Sequence, residues 1–573
     1  MTLAHWLNTG WMLSCRREAR HFHHATHSVS ETQQALLLRI LAANQSTEFG
    51  RRHAFGRIRS SSEYQQRVPR SNYEAYADAI QRIAAGQDNV LTREPVELLE
   101  PTSGSSNRGE KLIPYTSSLR REFQRAVAVW VADVMRHRPA MRRGRAYWSV
   151  SPAMESGRVS PGGIPIGFDD DAAYLGRLER CFLKYLLIVP PSVTRLKAMD
   201  NFRYCTLLYL LGAADLSLIS IWSPTFLTSL ISSLDEWGDR ICRDLRNGRL
   251  SLPVPGDSEI QKLLTSRLRR DGHRSEQLHS ILQTSASKAD KLQQMWPQLD
   301  LISCWADAMA GEYLGGLREL FPNVAIQPKG LLATEGCVSF PLVDRHGAVL
   351  AIRSHFFEFA KIDHPQGGSA NPATPRLADQ LDMGQRYKVL LTTGGGLYRV
   401  ELNDIVEVVG YENQCPLLRF VGRADRVSDL VGEKLNELHL QDVLHRVLVA
   451  SGIVPQFSLV VPTSGPQPCY RLYLQADDIE QLRAVSSLIA RDVDAGLREN
   501  PYYQHAVEFS QLAPLEVRLL DGDRGQAWRV YERVCLERGQ KAGDIKPTVL
   551  DTWPGWPVEF DRAFQNDCEH CSS

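Results

Sequence analysis

The chain lacks net charge: 66 Lys and Arg balance 66 Asp and Glu over 573 residues. With no basic excess and no sustained Lys/Arg tract, a nucleic-acid partner is not expected. A clean apolar run of the ~20 residues that a membrane span needs is also missing. The most apolar stretch, residues 206–222, is interrupted by Asp215 and reads as buried helix and strand. Residues 1–20 carry their basic side chains after the apolar stretch, the reverse of an export signal. Paired cysteine spacing is absent as well. Eleven cysteines run from Cys15 to Cys571, the pattern of a reduced complement, so a cytoplasmic setting is expected. Cys568 and Cys571 are the one close pair. They have no second ligand pair for zinc and read as a frayed tail. No internal repeat, low-complexity tract or Gly-x-Ser-x-Gly elbow occurs, and the last absence disfavours that kind of hydrolase.

What is present is an ordinary folded composition, 43% hydrophobic and 23% charged. The length corresponds to roughly four domain-equivalents of about 150 residues, which can merge into one large and one small unit. Residues 32–44 carry leucines on one helical face. Ser71-Asn-Tyr-Glu74 reads as a capping box. Residues 145–151 read as a strand followed by a Pro/Gly-rich loop at 160–167. Ser223 and Pro224 open a helix whose apolar stripe runs from Phe226 to Leu245 and stops at Asn247-Gly248. Residues 259–296 predict two helices broken near Asp271-Gly272. From Gly330 the chain turns β-rich, with short runs at 331–332, 348–352, 387–392, 397–400, 405–409 and 417–421. Beyond Gly422 the pattern is helix 437–449, strands 456–461 and 470–474, helix 480–497 and strand 507–512. A domain boundary is expected near residues 422–425, giving domains 1–422 and 423–573.

Five segments hold residues suited to chemistry. Thr102-Ser-Gly-Ser-Ser-Asn-Arg-Gly-Glu-Lys111 is a flexible loop whose N–H groups and hydroxyls can face phosphate oxygens, with Lys111 adding a cation. It is not a Walker A loop, because no Gly-Lys-Ser/Thr follows. Thr334-Glu335 ends a strand, and a carboxylate beside a hydroxyl there can hold Mg²⁺ against a triphosphate. Thr392-Thr-Gly-Gly-Gly-Leu-Tyr398-Arg399 is a glycine turn, and Asp404 beyond it can accept ribose hydroxyls. Arg423 and Lys434 are cations at the domain junction. Lys546 sits in a Gly/Pro loop near the C-terminus. Read singly, each is an ordinary loop, turn or linker.

Taken in this order, the segments resemble the adenylate-forming enzymes, and specifically the GH3 acyl-acid amido synthetases, with a bacterial-type member expected. Ser46-Thr-Glu-Phe-Gly-Arg51 and Val68-Pro-Arg-Ser-Asn-Tyr-Glu74 look like the family's N-terminal signature. Residues 102–116 look like its phosphate loop, 223–251 like its helix, and Phe356-Phe-Glu-Phe359 with 392–404 like its last two site motifs. The likeness spans roughly residues 33–550 and weakens after Gln456. It implies an α/β fold: a large N-terminal domain with mixed sheets and a β-barrel-like part covered by helices, plus a small, mobile α+β C-terminal domain.

The resemblance also implies roles. Ser103, Gly104, Ser105 and Ser106 would cradle phosphates with Lys111. Thr334 would contact the α-phosphate, and Glu335 would bind Mg²⁺. Asp404 would hold the ribose, with Tyr398, Arg399 and Arg423 in the ATP site. Lys434 and Lys546 would be catalytic cations of the small domain. The family usually has an aromatic residue four positions before the motif glutamate; this chain has Leu331, so adenine packing would be aliphatic or come from elsewhere. The implied reaction is ATP-dependent adenylation of a small carboxylic acid, then transfer to the amine of an amino acid. An acyl-CoA ligase sharing the first half-reaction and a non-catalytic nucleotide-binding scaffold are the alternatives. Retention of both Glu335 and Asp404 counts against the scaffold.

Overall fold

A computed structural model describes residues 2–102, 111–148, 158–167, 185–362, 374–463, 465, 467–540 and 545–564. A four-stranded parallel sheet runs Arg145–Trp148, Leu216–Ser220, Leu301–Cys304, Ala325–Pro328 in spatial order. Its two central strands are buried at every position, as parallel strands covered on both faces must be. The helix Met199–Leu211 and the pair Pro224–Ser232 and Leu234–Asn247 pack around it into a separate apolar core. The stripe expected as one helix from Pro224 is thus broken at Ser233, and the Ser223 hydroxyl pairs with Thr225 instead of capping backbone. Gly248 closes the second helix in a left-handed conformation, φ 63°, as expected. Residues 259–296 form three helices, not two: Ser258–Arg267, Gly272–Leu282 and Lys288–Met295.

A seven-stranded antiparallel sheet forms the second body of the large part. Its centre is Phe356–Lys361, Arg386–Thr392, Val400–Glu412 and Cys415–Arg423. Alternation along Val400–Glu412 buries Val400, Leu402, Asp404 and Val406 on one face. The N-terminal helices, including Leu3–Ala25 and Val29–Asn44, share this sheet's core with the long helix Ser117–His137. Residues 397–399 belong to the glycine turn, and the strand starts only at Val400. Ser71 forms a bridge to Val400, leaving Asn72 to cap the short turn Tyr73–Tyr76.

Beyond Arg423 the chain builds two further cores, with Met309 buried in one and Tyr313 packed against the other. The helices Glu437–Ala450 and Ile479–Leu497 accompany the sheet Pro455–Thr463, Cys469–Ala476, Glu516–Leu519, whose last strand is parallel to the middle one. The strand expected at 507–512 does not form. Asn500 caps and Pro501 opens the helix Pro501–Glu508, and the third strand comes later. The small part touches the parallel-sheet body through Arg203–Glu532 at 2.5 Å, Arg524–Glu319 at 3.1 Å and a Tyr313–Trp528 ring contact. The eight described cysteines are buried and unbridged. Among the described residues no helix is long and apolar enough to cross a membrane.

Candidate active site

One short strand, Leu112–Thr116, gathers three of the motifs. It pairs with Val96–Pro101, so Pro101 faces Leu112, and the Thr102 N–H donates to the Lys111 carbonyl at 2.8 Å. This ladder closes the base of the serine-rich loop. Ser103, Gly104, Ser105 and Ser106 themselves lie outside the described residues. The Tyr115 hydroxyl donates to the Thr334 carbonyl at 2.6 Å, tying the strand to the Thr334-Glu335 turn between Leu332–Ala333 and Gly336–Cys337. Thr116 donates to the Gly394 carbonyl at 3.0 Å and caps the helix Ser117–His137. A Cβ on Gly395 would come within 2.8 Å of the Pro114 carbonyl, so the glycine turn lies directly on this strand. Glycine is needed there because backbone meets backbone.

The charged residues of the expected site also meet. Asp404 and Arg423 are directly opposed across neighbouring strands, with the guanidinium 3.6 Å from the carboxylate. Asp425 chelates the same guanidinium at 2.9 and 2.8 Å. Burial opposes the charge on Arg423, but Asp425 and Asp404 outweigh it and hold its pKa above the ordinary arginine value. Burial likewise opposes the charge of Asp425, and Arg423 reverses that effect to hold its carboxyl below the usual range. Burial pushes the carboxyl of Glu335 up, the charge of Asp404 pushes the same way, and Arg423 and Lys111 push back. Glu335, Asp404, Arg423 and Lys111 therefore share one electrostatic neighbourhood. Lys111 is also tied to Glu74 at 3.1 Å and lies over the Tyr73 ring.

The charge of Asp404 adds to the cost of ionising Glu335, and a divalent cation relieves it. Among the described residues no cluster of three or more metal-ligating side chains occurs. A magnesium ion carried by nucleotide needs only one or two carboxylates beside the phosphate oxygens. The donor set around Glu335 suits that arrangement.

Tyr398 and Arg399, expected to support the ATP site, turn their polar atoms into the core. Tyr398 is fully buried, stacks on Phe49 at 4.8 Å and donates its hydroxyl to the Leu91 carbonyl. Arg399 adopts φ 54° and is fully engaged: two bonds to Glu358 and one each to the Gln65 and Val68 carbonyls. Both are struts under the glycine turn, with their polar atoms turned into the core. Leu331 is buried in that core too, while its neighbour Leu332 is 37% exposed. The aliphatic surface beside the turn is therefore that of Leu332.

Lys434 is exposed, at φ 46°, in the turn before Leu435–Asn436. Lys546 is exposed on the small part, its ammonium 5.2 Å from the centre of the Trp305 ring. Trp305 contacts Trp222, and Lys329 lies over Trp222 while donating to Ser220 at 2.7 Å. Trp222, Trp305 and Lys329 each follow the carboxyl end of a parallel strand. Ligands favour that edge of such sheets, and this topological signal could have singled the three residues out. The buried pair Glu122 and His355, joined behind the turns at 2.9 Å, has no motif and gave no signal.

Residues 18–326 match the GH3 family N-terminal domain and residues 348–423 match the GH3 family central domain. The chain is 24% identical over 464 residues to an indole-3-acetic acid-amido synthetase of Arabidopsis thaliana, covering 76% of this chain and 74% of that one. It is 24% identical over 535 residues to a jasmonoyl–L-amino acid synthetase of Oryza sativa subsp. japonica, covering 88% and 90%. A solved acyl acid amido synthetase in complex with 2,4-DB shares the fold at a TM-score of 0.80, with 18% identity and 96% of each chain covered. With its N-terminal and central domains both matched in order along the same chain, the protein belongs to the GH3 family of acyl-acid amido synthetases.

Proposed function

We propose that the protein activates a small carboxylic acid with ATP and passes the acyl group to the amine of an amino acid. The observation that carries this reading is the convergence of three motifs on Leu112–Thr116, beside a shared Glu335, Asp404, Arg423 and Lys111 charge cluster. The names of its relatives, among them a 4-substituted benzoates-glutamate ligase, support it.

A carboxylate is a poor electrophile, since its charge repels nucleophiles and oxide is an unacceptable leaving group. In the proposed first half-reaction the substrate carboxylate attacks the α-phosphorus of ATP and pyrophosphate leaves. The acyl carbon then bears AMP, and an amine displaces it to give an amide. Most of the catalytic work is positioning and charge compensation. The loop of Ser103, Gly104, Ser105 and Ser106 is proposed to cradle phosphate oxygens, with Lys111 adding charge. Thr334 faces the α-phosphate, and Asp404 accepts the ribose hydroxyls. Arg423, opposed to Asp404 across the strand pair, holds its carboxylate in place. Glu335 would hold Mg²⁺, which offsets phosphate charge when bound. Tyr398 and Arg399 act from beneath by fixing the glycine turn.

We read the part beyond Arg423 as a domain that moves between half-reactions and carries Lys434 and Lys546. Its present contact, Lys546 over Trp305, links it to the carboxyl edge of the parallel sheet. The acyl group is proposed to lie near that edge, where the Trp222 and Trp305 ring faces suit an aromatic or indole-type acid.

The test is ATP–pyrophosphate exchange over a panel of aromatic, indole-type, hydroxy- and fatty acids. Exchange that requires an acid supports adenylation; none with any acid sinks it. Amide formation on adding amino acids, against thioester formation on adding coenzyme A, then decides the second half-reaction.

A further inference from the structure

Glu122 lies early in the helix Ser117–His137, and His355 immediately precedes the strand Phe356–Lys361. They are 4% and 0% exposed. The His355 Nε2 accepts the Cys337 N–H at 3.0 Å, so the ring proton sits on Nδ1 and is donated to Glu122 at 2.9 Å. The same carboxylate accepts the Gly394 N–H at 3.1 and 3.0 Å. A continuous relay of hydrogen bonds therefore runs from Cys337 through His355 and Glu122 to Gly394. One end lies two residues after Glu335. The other lies in the glycine turn that leads into Asp404.

The two glycines at its ends fit the pair closely. A Cβ on Gly336 would stand 2.8 Å from His355 Nε2, and one on Gly394 would stand 2.6 Å from Glu122 Oε1. The His355 backbone is held in turn by Gln33, which donates to its carbonyl at 2.8 Å and accepts the Phe357 N–H. Stability alone does not call for this arrangement, since replacing both partners of a buried hydrogen bond by apolar groups of the same shape is nearly neutral. Apolar packing is non-directional, however, and cannot fix the separation of two backbone turns as hydrogen bonds do.

We infer that His355 and Glu122 are positioning residues for adenylation, holding the Glu335 turn at a set distance from the glycine turn that carries Asp404. The inference rests on the adenylation reading above. Two substitutions cut the relay at different points. His355→Gln can present its amide oxygen near the place of Nε2, keeping the Cys337 bond and losing Glu122. His355→Asn can present its amide N–H near the place of Nδ1, keeping Glu122 and releasing Cys337.

With an acid that the unaltered protein accepts, His355→Asn should lower the exchange kcat about a hundredfold, the cost of a misplaced reacting group. His355→Gln should cost roughly tenfold or less, and the KM for the acid should hold in both. Amide hydrogen exchange over residues 334–340 should quicken in His355→Asn and stay near native in His355→Gln. An unchanged kcat in both folded variants would overturn the inference. So would opened amides with an unchanged kcat, and both results would leave adenylation standing. If the asparagine variant does not fold, Glu122→Gln serves instead. It leaves one carbonyl oxygen to serve both His355 and Gly394, and an unchanged kcat in that folded variant refutes the positioning role. No exchange by the unaltered protein with any acid would instead bring down the adenylation reading and this inference with it.

Discussion

Replacing Arg399 by methionine separates a core strut from a nucleotide ligand. The Arg399 side chain is 3% exposed and that of its partner Glu358 is 1% exposed. Its guanidinium donates to both Glu358 oxygens at 2.8 Å, to Gln65 at 2.8 Å and to Val68 at 2.6 Å. Methionine has comparable length and bears the same left-handed backbone cost at φ 54°, so that term cancels. What remains is a buried carboxylate without its cation and two carbonyls without donors. Breaking a buried pair from one side costs about 3–5 kcal/mol. For a cooperative unit of about 150–250 residues, 1 kcal/mol moves Tm by ~2–4 °C, so the expected fall is about 6–20 °C. Thermal unfolding followed by circular dichroism measures it. The double variant Glu358→Met with Arg399→Met should recover a large share, because no charge is then stranded. Should Arg399→Met melt within a degree or two of the unaltered protein yet lose ATP affinity, the strut reading is wrong and the side chain touches nucleotide.

Three further outcomes are expected. Asp404→Ala should weaken ATP binding measured by calorimetry, and an unchanged affinity would remove the ribose assignment. Lys546→Ala should slow adenylation in single-turnover assays more than it slows amine attack on preformed acyl-adenylate, with equal losses counting against its role. Burial, then the charge of Asp404, raises the Glu335 carboxyl above its ordinary value of 4.5. An acid raised on folding binds its proton more tightly in the folded state, so its stabilising contribution is present at acid pH and is lost as pH climbs from 4.5 through the folded value. Glu335→Gln should therefore raise Tm of the nucleotide-free protein at pH 7, with the gain vanishing near pH 4, while exchange activity falls; a lower Tm at pH 7 would refute this.

The parts of the fold that were legible in the sequence are those written in neighbouring residues. The buried run around 216–220 and the stop at Gly248 depend on contacts a few positions apart. The same holds for the start of the helix at Pro224 and for the glycine turn. Errors arose where two local signals competed. Val507 and Leu512 read as a strand, yet Asn500 and Pro501 start a helix before them, and capping chemistry won over an apolar run. Ser71 has the chemistry of a cap but gives its backbone to Val400, and that partner is far away in the chain.

By itself the sequence determined the order of the site motifs and the residue types in them, because loop chemistry and strand ends are local properties. Only the tertiary structure decided which of those residues meet. Tyr115 reaches Thr334 across 219 positions, and Glu122 reaches His355 across 233. It also turned Tyr398 and Arg399 into the core, although they sit inside the motif beside Asp404. A side chain's donors and acceptors are fixed by its type, but whether they meet substrate or another buried group depends on the distant strands that pack around it.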